Sequence, residues 1–206
     1  MRYTGPKNKA ARREGMDLGL KTTGSKSHAS LLKRLNISPG QHGVSRRRKK
    51  SEHSRQLREK QKLRYMFGLT EKQLKRYFLE SARKKGNTAV HMTELLERRL
   101  DNVVYRLGLA PTRAAARQLV VHKHIKVNDK VLSIPSYQLK NKDSVTFAKT
   151  KTKAIPYIEE SLKDDQRIMP EWLSKKADAG TLVATPDTSF VDQQVNLRLV
   201  VEFYSR

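Results

Sequence analysis

The segment TRAAARQLVVHKHIKVN, residues 112–128, carries the side chains in this chain that are best suited to binding a polyanion. Arg113 and Arg117 lie four residues apart and therefore share one face of a helix. Amide, imidazole and ammonium donors follow them closely in sequence. Such a set matches phosphate oxygens and the edges of a folded nucleic acid better than a small substrate. We predict that the nucleic-acid face of this segment consists of Arg113, Arg117, Gln118, His122, Lys123, His124 and Lys126.

A short helix followed by a strand must position these donors. Thr112 is a good helix N-cap because its hydroxyl can accept a hydrogen bond from an amide of the first turn. Residues 115–120 supply a small apolar stripe for packing, and residues 125–127 alternate like a half-buried strand. The apolar spacing from Glu94 to Leu107 predicts one preceding helix, which Gly108 ends. Further strands are predicted around 131–134 and 144–147, so this part is expected to be an α+β module of two helices on a small antiparallel sheet.

The charge of the chain supports a polyanionic partner. The 206 residues contain 44 Lys and Arg against 20 Asp and Glu, which gives a net charge of +24. A charge of this size favours association with nucleic acid, because a polyanion relieves the self-repulsion. Residues 1–100 hold 27 of the basic and 8 of the acidic residues, whereas residues 151–206 hold 8 and 9. The nearly neutral C-terminal part is therefore expected to be free to contact protein.

Residues 1–50 lack apolar periodicity and cannot bury enough apolar surface to order alone. We expect them to order against a partner, and a disordered tail in the free protein is compatible with that expectation. Five consecutive cations end this segment. A nuclear-localisation signal or a solvated run is the alternative for them, but with such basic neighbours we predict a nucleic-acid contact for Arg46, Arg47, Arg48, Lys49 and Lys50.

Two basic helices are predicted after this segment. The first covers 51–67, and Thr70 with Gln73 forms a capping box that opens the second, for which Gly86 is the expected C-cap. In the C-terminal part we predict short helices at 156–162 and 170–176 and a loop at 181–189. Alternation from Val195 to Phe203 favours a strand, although helical spacing fits some of the same residues. The expected domains are 1–50, 51–92, 93–150 and 151–206.

Several other kinds of site are disfavoured by the sequence. The chain has no cysteine, which excludes disulfides, thiol nucleophiles and thiolate zinc sites. His122 and His124 lack a convincing third metal ligand nearby. The paired carboxylates Glu159–Glu160 and Asp164–Asp165 are expected to be solvated surface. Because there is no apolar run of about 20 residues, no phosphate-cradling Gly-rich loop and no nucleophile elbow, we expect no membrane span, no enzyme, no metal and no cofactor.

Two stretches, LERRLDNVVYRLGL and TRAAARQLVVHKHIKVN, resemble the S-four RNA-binding module. The similarity extends along nearly the whole chain, in order, to the bacterial-type small-ribosomal-subunit protein S-four family. The blocks that carry it are RYTGPKNKAARREGMDL, PGQHG at 39–43, QLREKQK at 56–62, KGNT at 85–88, SYQ at 136–138, PEWL at 170–173 and the ending VEFYSR. This succession is far more specific than the module alone, which many RNA-modifying enzymes carry.

The resemblance implies a structural constituent of the small ribosomal subunit, in the cytoplasm of a bacterium or in an organelle. Members of the family bind the 5′ domain of small-subunit ribosomal RNA and nucleate assembly. They also adjoin the neighbouring S-five ribosomal protein, a contact through which they influence translational accuracy. The cluster 46–50 would face incoming messenger RNA, and the opening block adds Arg12 and Arg13 to the expected RNA-binding residues. Many relatives hold zinc through cysteines near the N-terminus, so this chain resembles the zinc-free branch, in which the stretch from Lys21 to Ile37 folds without metal.

Two alternatives from other classes remain at this point. An RNA-modifying enzyme would need a catalytic domain of about 150 residues besides the module, and no such length is left over. A general histone-like polycation would bind any nucleic acid, and its affinity would collapse steeply with salt. The mixed chemistry of residues 112–128 disfavours that second alternative.

Overall fold

A computed structural model describes residues 3–44, 49, 51–163, 168–176 and 179–205. The chain divides into two compact units, one formed by Met1–Ala89 with Val191–Arg206 and the other by Val90–Phe190. The C-terminal residues that we expected to form one segment are thus divided between the two units. The expected boundaries at 50, 92 and 150 stay predictions.

The first unit is helical in the part that the structure describes. Its helices are α1 (Lys7–Glu14), α2 (Lys26–Lys33), α3 (Glu52–Met66), α4 (Glu71–Ala82) and, from the C-terminal end of the chain, α10 (Leu197–Tyr204). Serine and threonine hydroxyls cap three of them, at Ser25, Ser51 and Thr70. The capping box of Thr70 and Gln73 is present as predicted. Helix α4 ends at Ala82, earlier than the predicted cap at Gly86.

Helix α10 corrects the strand that was predicted for 195–203. Asn196 caps the helix by accepting a hydrogen bond from the backbone amide of Leu199 at 3.3 Å. Leu197 and Val200 are buried, and the helix packs against α3 and α4. The alternation of apolar residues is real, but packing against two existing helices decides the structure, as it often does for short ambiguous segments.

The second unit begins in the helix α5 (Thr88–Glu97) and continues with α6 (Leu100–Arg106) and α7 (Arg113–Val121). The prediction of a single helix from Glu94 to Leu107 is wrong, because the helix is interrupted at Arg98 and Arg99. Arg99 is extended and forms an isolated antiparallel bridge with Gln138. The amides of Leu100 and Asp101 donate to the carbonyls of Tyr137 and Pro135. These non-local hydrogen bonds replace the helical ones, and Gly108, in the left-handed conformation, follows α6 as predicted.

A five-stranded antiparallel sheet completes this unit, in the order β2-β1-β3-β5-β4. The α+β fold with a small antiparallel sheet agrees with the prediction, but two of its strands do not. Residues 173–176 were expected in a helix and 181–182 in a loop. They instead form antiparallel strands that pair with each other, with Ser174 opposite Thr181. The strands are β1 (Ile125–Val127), β2 (Lys130–Val131), β3 (Ser144–Phe147), β4 (Leu173–Lys176) and β5 (Ala179–Leu182).

The core of the second unit lies between the sheet and helices α6 and α7. Val104, Val120 and Ile125 are fully buried there. Gly180 on β5 lies so close to Leu107 that a Cβ atom would overlap the leucine side chain, so this strand requires glycine. The predicted helix α8 (Pro156–Leu162) is present, and a 3₁₀ turn (Thr150–Thr152) and α9 (Ser189–Asp192) complete the elements. In the described ranges, no helix is both long and apolar enough to cross a membrane.

An ion pair between a buried lysine and a partly exposed carboxylate ties α3 to α4 and α10. Lys60, with a side chain 7% exposed, lies 2.8 Å from Glu71 Oε1, and the Tyr204 hydroxyl donates to the same oxygen at 2.7 Å. Burial by itself raises the pKa of the Glu71 carboxyl. The hydrogen bonds from Lys60 and Tyr204 and the charges of Lys60 and Arg64 outweigh burial, so the pKa lies below its ordinary value of 4.5. Burial and the bond to Glu71 raise the pKa of Tyr204.

We predict that Glu71→Gln destabilises the protein by about 1–3 kcal/mol at neutral pH, because Lys60 keeps its buried charge without a carboxylate partner. A lowered folded-state pKa adds stability above the unfolded pKa, and this contribution disappears as the pH falls through the folded value. The deficit of the variant should therefore shrink below pH 4.5. Urea unfolding followed by helical circular dichroism between pH 3 and 7 measures it. Glu80→Gln, an exposed carboxylate of α4, is the control, and a deficit independent of pH would contradict the prediction.

Candidate nucleic-acid interface

The first turn of α7 presents Arg113 in a fixed orientation. Thr112 caps the helix by accepting from the Ala115 amide at 3.2 Å, as predicted. Arg113 Nε donates to Asn102 Oδ1 at 2.8 Å, and its guanidinium lies 4.5 Å from the centre of the Tyr105 ring. Burial, with the charge of Arg106, lowers the pKa of Arg113 to about 10, so the side chain still carries its charge at neutral pH.

Glu97 is the carboxylate behind this arginine. It is 1% exposed and accepts a hydrogen bond from Asn102 Nδ2 at 2.6 Å. Arg106 donates to both carboxylate oxygens of Glu97. Asn102 therefore links Glu97 to Arg113, since it donates to the carboxylate while accepting from the guanidinium. The chain of contacts fixes the rotamer of Arg113 before any ligand binds.

Arg117, one turn further along α7, is held by a second buried carboxylate. Its Nη1 lies 3.3 Å from Asp101 Oδ2, and its side chain is 21% exposed. Asp101 also accepts two hydrogen bonds from Arg99, at 3.0 and 2.7 Å. Arg99 is 1% exposed, so Asp101 neutralises a fully buried cation and orients a second cation that is largely buried.

The partners of Asp101 differ from those that its sequence neighbours suggest. The sequence by itself predicts Arg98 or Arg106 as the structural partner of this carboxylate. Arg98 instead pairs with Glu94 at 3.1 Å, and Arg106 pairs with Glu97. The break between α5 and α6 explains the difference, because it turns Arg99 rather than Arg98 toward Asp101.

The remaining candidates on this segment form the exposed end of α7 and the start of the sheet. Gln118, His122 and Lys123 are exposed. Lys123 has φ 61°, a left-handed conformation that glycine adopts more readily. His124 is half-buried, with Nδ1 3.0 Å from Thr152 Oγ1, and Lys126 is half-buried on β1. The structure thus brings the seven residues together on consecutive elements, with the arginines immobilised and the later donors accessible.

The candidates from the N-terminal part have different surroundings. Arg12 donates to the carbonyls of Ile37 and Ser38, at 3.0 and 3.3 Å, and so holds the chain that follows α2. Arg13 and Lys49 are exposed. The other predicted members of the basic cluster lie outside the described residues, namely Arg46, Arg47, Arg48 and Lys50.

Sequence reasoning missed the residues that support the arginines. The sequence by itself assigns no role to Glu97, Asn102, Tyr105 or Arg99. One signal was available: Glu97 and Asp101 are acids in a strongly basic stretch, where each has several cations to neutralise. Their roles could not be assigned because the helix break was not predicted.

Comparisons with known proteins agree over the full chain. Residues 2–97 match the Ribosomal protein S4/S9 N-terminal domain, and residues 98–145 match the S4 domain. The chain is 46% identical over 208 residues to small ribosomal subunit protein uS4 of Cupriavidus necator, a match that covers 100% of this chain and 99% of that protein. The chain belongs to the ribosomal protein S4 family. Its relatives of the same name in Chromobacterium violaceum and Francisella tularensis subsp. novicida are 46% and 45% identical over 207 residues, again covering 100% of the chain and 99% of each relative.

The family assignment confirms the resemblance found in the sequence. The boundary between the two matched domains, at residues 97 and 98, falls at the break between α5 and α6. In the part of this S4-family chain that the structure describes, no group of three or more His, Asp or Glu residues could hold a metal ion. Between Lys21 and Ile37, the buried His28 lies 2.7 Å from Asp17 and connects α2 to the preceding chain.

We predict that Asp101→Asn destabilises the second unit by about 3 kcal/mol or more, because Arg99 would keep a buried charge without a carboxylate. Trp172 is 4% exposed and is the single tryptophan of the chain, so its fluorescence reports the unfolding of this unit in urea. Glu160→Gln removes an exposed carboxylate of α8 and should change stability by less than about 0.5 kcal/mol. Equal unfolding curves for the two variants would show that Asp101 has no such role.

Proposed function

We propose that this protein is a structural constituent of the small ribosomal subunit and binds small-subunit ribosomal RNA, within the ribosome. The observation that carries the proposal is the full-length relationship to proteins named small ribosomal subunit protein uS4. The role is structural rather than catalytic, in keeping with a family of ribosomal proteins. The RNA would be the 5′ domain, where binding nucleates assembly, as the family resemblance implies.

The geometry of α7 supports RNA as the ligand. A guanidinium that is already oriented loses little side-chain entropy on binding, and its planar donors match phosphate oxygens. Arg113 and Arg117 are held in this way by Asn102 and Asp101. The accessible Gln118, His122 and Lys123 add donors that can reach unpaired bases or further phosphates. His124 and Lys126 extend the same surface onto the sheet.

The proposal includes two further partners, messenger RNA and the neighbouring S-five protein, which are supported by the distribution of charge. Charge supports the contact of residues 46–50 with incoming messenger RNA, and Arg12 and Arg13 lie in the same basic N-terminal part. Residues 151–206 hold nearly equal numbers of acids and bases, which suits a contact with the neighbouring S-five protein. Through that contact the protein would influence translational accuracy.

The proposal predicts selective binding to the 5′ domain. In filter-binding titrations at several salt concentrations, the protein should prefer the 5′ domain of small-subunit ribosomal RNA over a scrambled RNA of equal length by roughly 10³-fold, by analogy with specific DNA binders. Electrostatic binding falls with salt for both RNAs, but the preference should remain. Equal affinity for the two RNAs would reduce the protein to a general polycation and overturn the proposal.

The left-handed backbone conformation of Lys123 leads to a prediction for a single residue. Lys123→Gly relieves the backbone conformation and should raise stability by up to about 1 kcal/mol, while it weakens RNA binding through the loss of a cation. Lys142, with φ 74°, is an exposed lysine of the same unit in the same conformation. Lys142→Gly is therefore a matched control, expected to gain similar stability with little loss of RNA affinity. The two measurements are urea unfolding and the salt dependence of binding, whose slope should fall by about 1 for Lys123→Gly. Equal affinities for the two variants would remove Lys123 from the site.

A further inference from the structure

The guanidinium of Arg106 on α6 is fixed along one edge by a carboxylate. Its Nε donates to Glu97 Oε2 at 3.0 Å, and its Nη2 donates to Glu97 Oε1. A two-point contact of this kind fixes the direction of the planar guanidinium within its own plane. The group can still tilt about the line that joins the two donor nitrogens, so a second contact is needed to define the plane itself.

Phe190 on α9 supplies that second contact. The guanidinium carbon of Arg106 lies over the Phe190 ring, 4.9 Å from its centre. The side chain of Arg106 is 12% exposed and Phe190 is half-buried, so the contact is partly shielded from water. A cation is attracted to the face of an aromatic ring, and the attraction grows as water is removed. Phe190 is the last residue of the second unit, so the contact lies within that unit.

The residues just before Phe190 hold the ring in this place. Pro186 is buried, and Ser189 Oγ donates to Asp187 Oδ2 at 2.8 Å. Burial lowers the pKa of the Arg106 guanidinium. The charge and hydrogen bonds of Glu97, with a smaller contribution from the charge of Asp187, outweigh burial and leave that pKa above its ordinary value. The segment therefore brings an aromatic face and a carboxylate charge to the same guanidinium.

The order imposed on Arg106 reaches the candidate interface through Glu97. Glu97 Oε2 accepts from both Arg106 Nε and Asn102 Nδ2, and Asn102 Oδ1 accepts from Arg113 Nε. When Arg106 tilts, the shared carboxylate oxygen moves with it, and so does the amide that holds Arg113. The two arginines also act on each other directly, since burial first and the charge of Arg106 second lower the pKa of Arg113.

We propose that Phe190 is a positioning residue of the candidate nucleic-acid interface. Its ring fixes the plane of Arg106 and, through the contacts behind it, the orientation of Arg113. The inference rests on the proposed function for the identity of the ligand. Phe190 acts without touching the RNA. It contributes to selectivity, because a guanidinium oriented before binding favours the ligand geometry that it matches.

The other immobilised arginine of α7 provides an internal reference. Arg117 is held by Asp101, which also accepts from Arg99 Nε at 3.0 Å. This group of contacts is built from residues other than those that connect Phe190 to Arg113. Removal of the Phe190 ring should therefore leave it unchanged.

The first test uses the full chain without RNA. The Nε–H groups of Arg106, Arg113 and Arg99 all donate hydrogen bonds, so each should give an NMR signal that exchanges slowly with water. Phe190→Leu keeps an apolar side chain but removes the ring. The signals of Arg106 and Arg113 should shift and exchange at least about twofold faster, while the signal of Arg99 stays unchanged. Phe190→Tyr keeps the ring and should keep all three signals.

The second test measures RNA binding of the same variants by filter titration. Phe190→Leu should lower the affinity for the 5′ domain by roughly threefold, the size expected for one partly buried cation–π contact. Its affinity for scrambled RNA should stay the same, because the net charge is unchanged. Phe190→Tyr should bind like the wild type. Tyr157→Leu removes an exposed ring of α8 and is the matched control, expected to change neither affinity. Trp172 fluorescence in urea confirms that each variant is folded under the binding conditions.

The outcomes separate this inference from the proposed function. Unchanged Arg106 and Arg113 signals in Phe190→Leu would overturn the inference. So would equal losses of affinity in Phe190→Leu and Phe190→Tyr, because the ring would then have no special role. An unchanged affinity of Phe190→Leu for the 5′ domain would overturn it as well. Failure of the wild type to distinguish the 5′ domain from scrambled RNA counts against the proposed function, whereas the signals of the free protein still decide whether Phe190 positions Arg113.

Discussion

The buried carboxylates Glu97 and Asp101 are the constraint on which the second unit depends. In a chain with a net charge of +24, the helices that carry the candidate site bring Arg99, Arg106, Arg113 and Arg117 close to one another. Buried like charges are costly unless each has a partner. Glu97 and Asp101, with Asn102 as a link, provide those partners from α5 and α6. Without them, α7 could not lie against α6 with its arginines in place.

The first unit solves the same problem with other residues. Glu14, Glu59 and Glu71 neutralise cations of α3, so α3 can lie against α10 although it is basic over most of its length. The chain has few acidic residues, and many of them form ion pairs with cations that become buried on folding. The cations left without partners are therefore directed outward. In a protein of this composition, the absence of an acid beside an exposed arginine is as informative about the ligand as the arginine itself.

Much of the fold could be predicted wherever the signal is local. The cap at Thr112, the capping box at Thr70, the end of α6 near Gly108 and helix α8 depend on residues close in sequence, and all of them appear in the structure. The predictions failed where distant partners decide. Arg99 leaves the helix because Gln138 and its neighbours offer backbone hydrogen bonds, β4 exists because β5 pairs with it, and α10 is a helix because α3 receives it. The candidate site residues could be chosen by residue type. The roles of the carboxylates that orient the arginines could not be predicted, because they depend on the interruption between α5 and α6.

The candidate site therefore combines two kinds of cation with separate physical roles. Arg113 and Arg117 are held in position by Asn102 and Asp101. Because their guanidinium groups do not move to follow a misplaced phosphate, they can discriminate between ligand geometries. Lys123 is exposed, and its left-handed backbone costs stability that glycine in that position would restore. The proposed contact of Lys123 with RNA would give the lysine at this position a role that glycine lacks. Under the proposed function, the immobilised arginines would account for selectivity and the exposed lysine and histidine side chains for affinity, which is the division that recognition of a folded RNA requires.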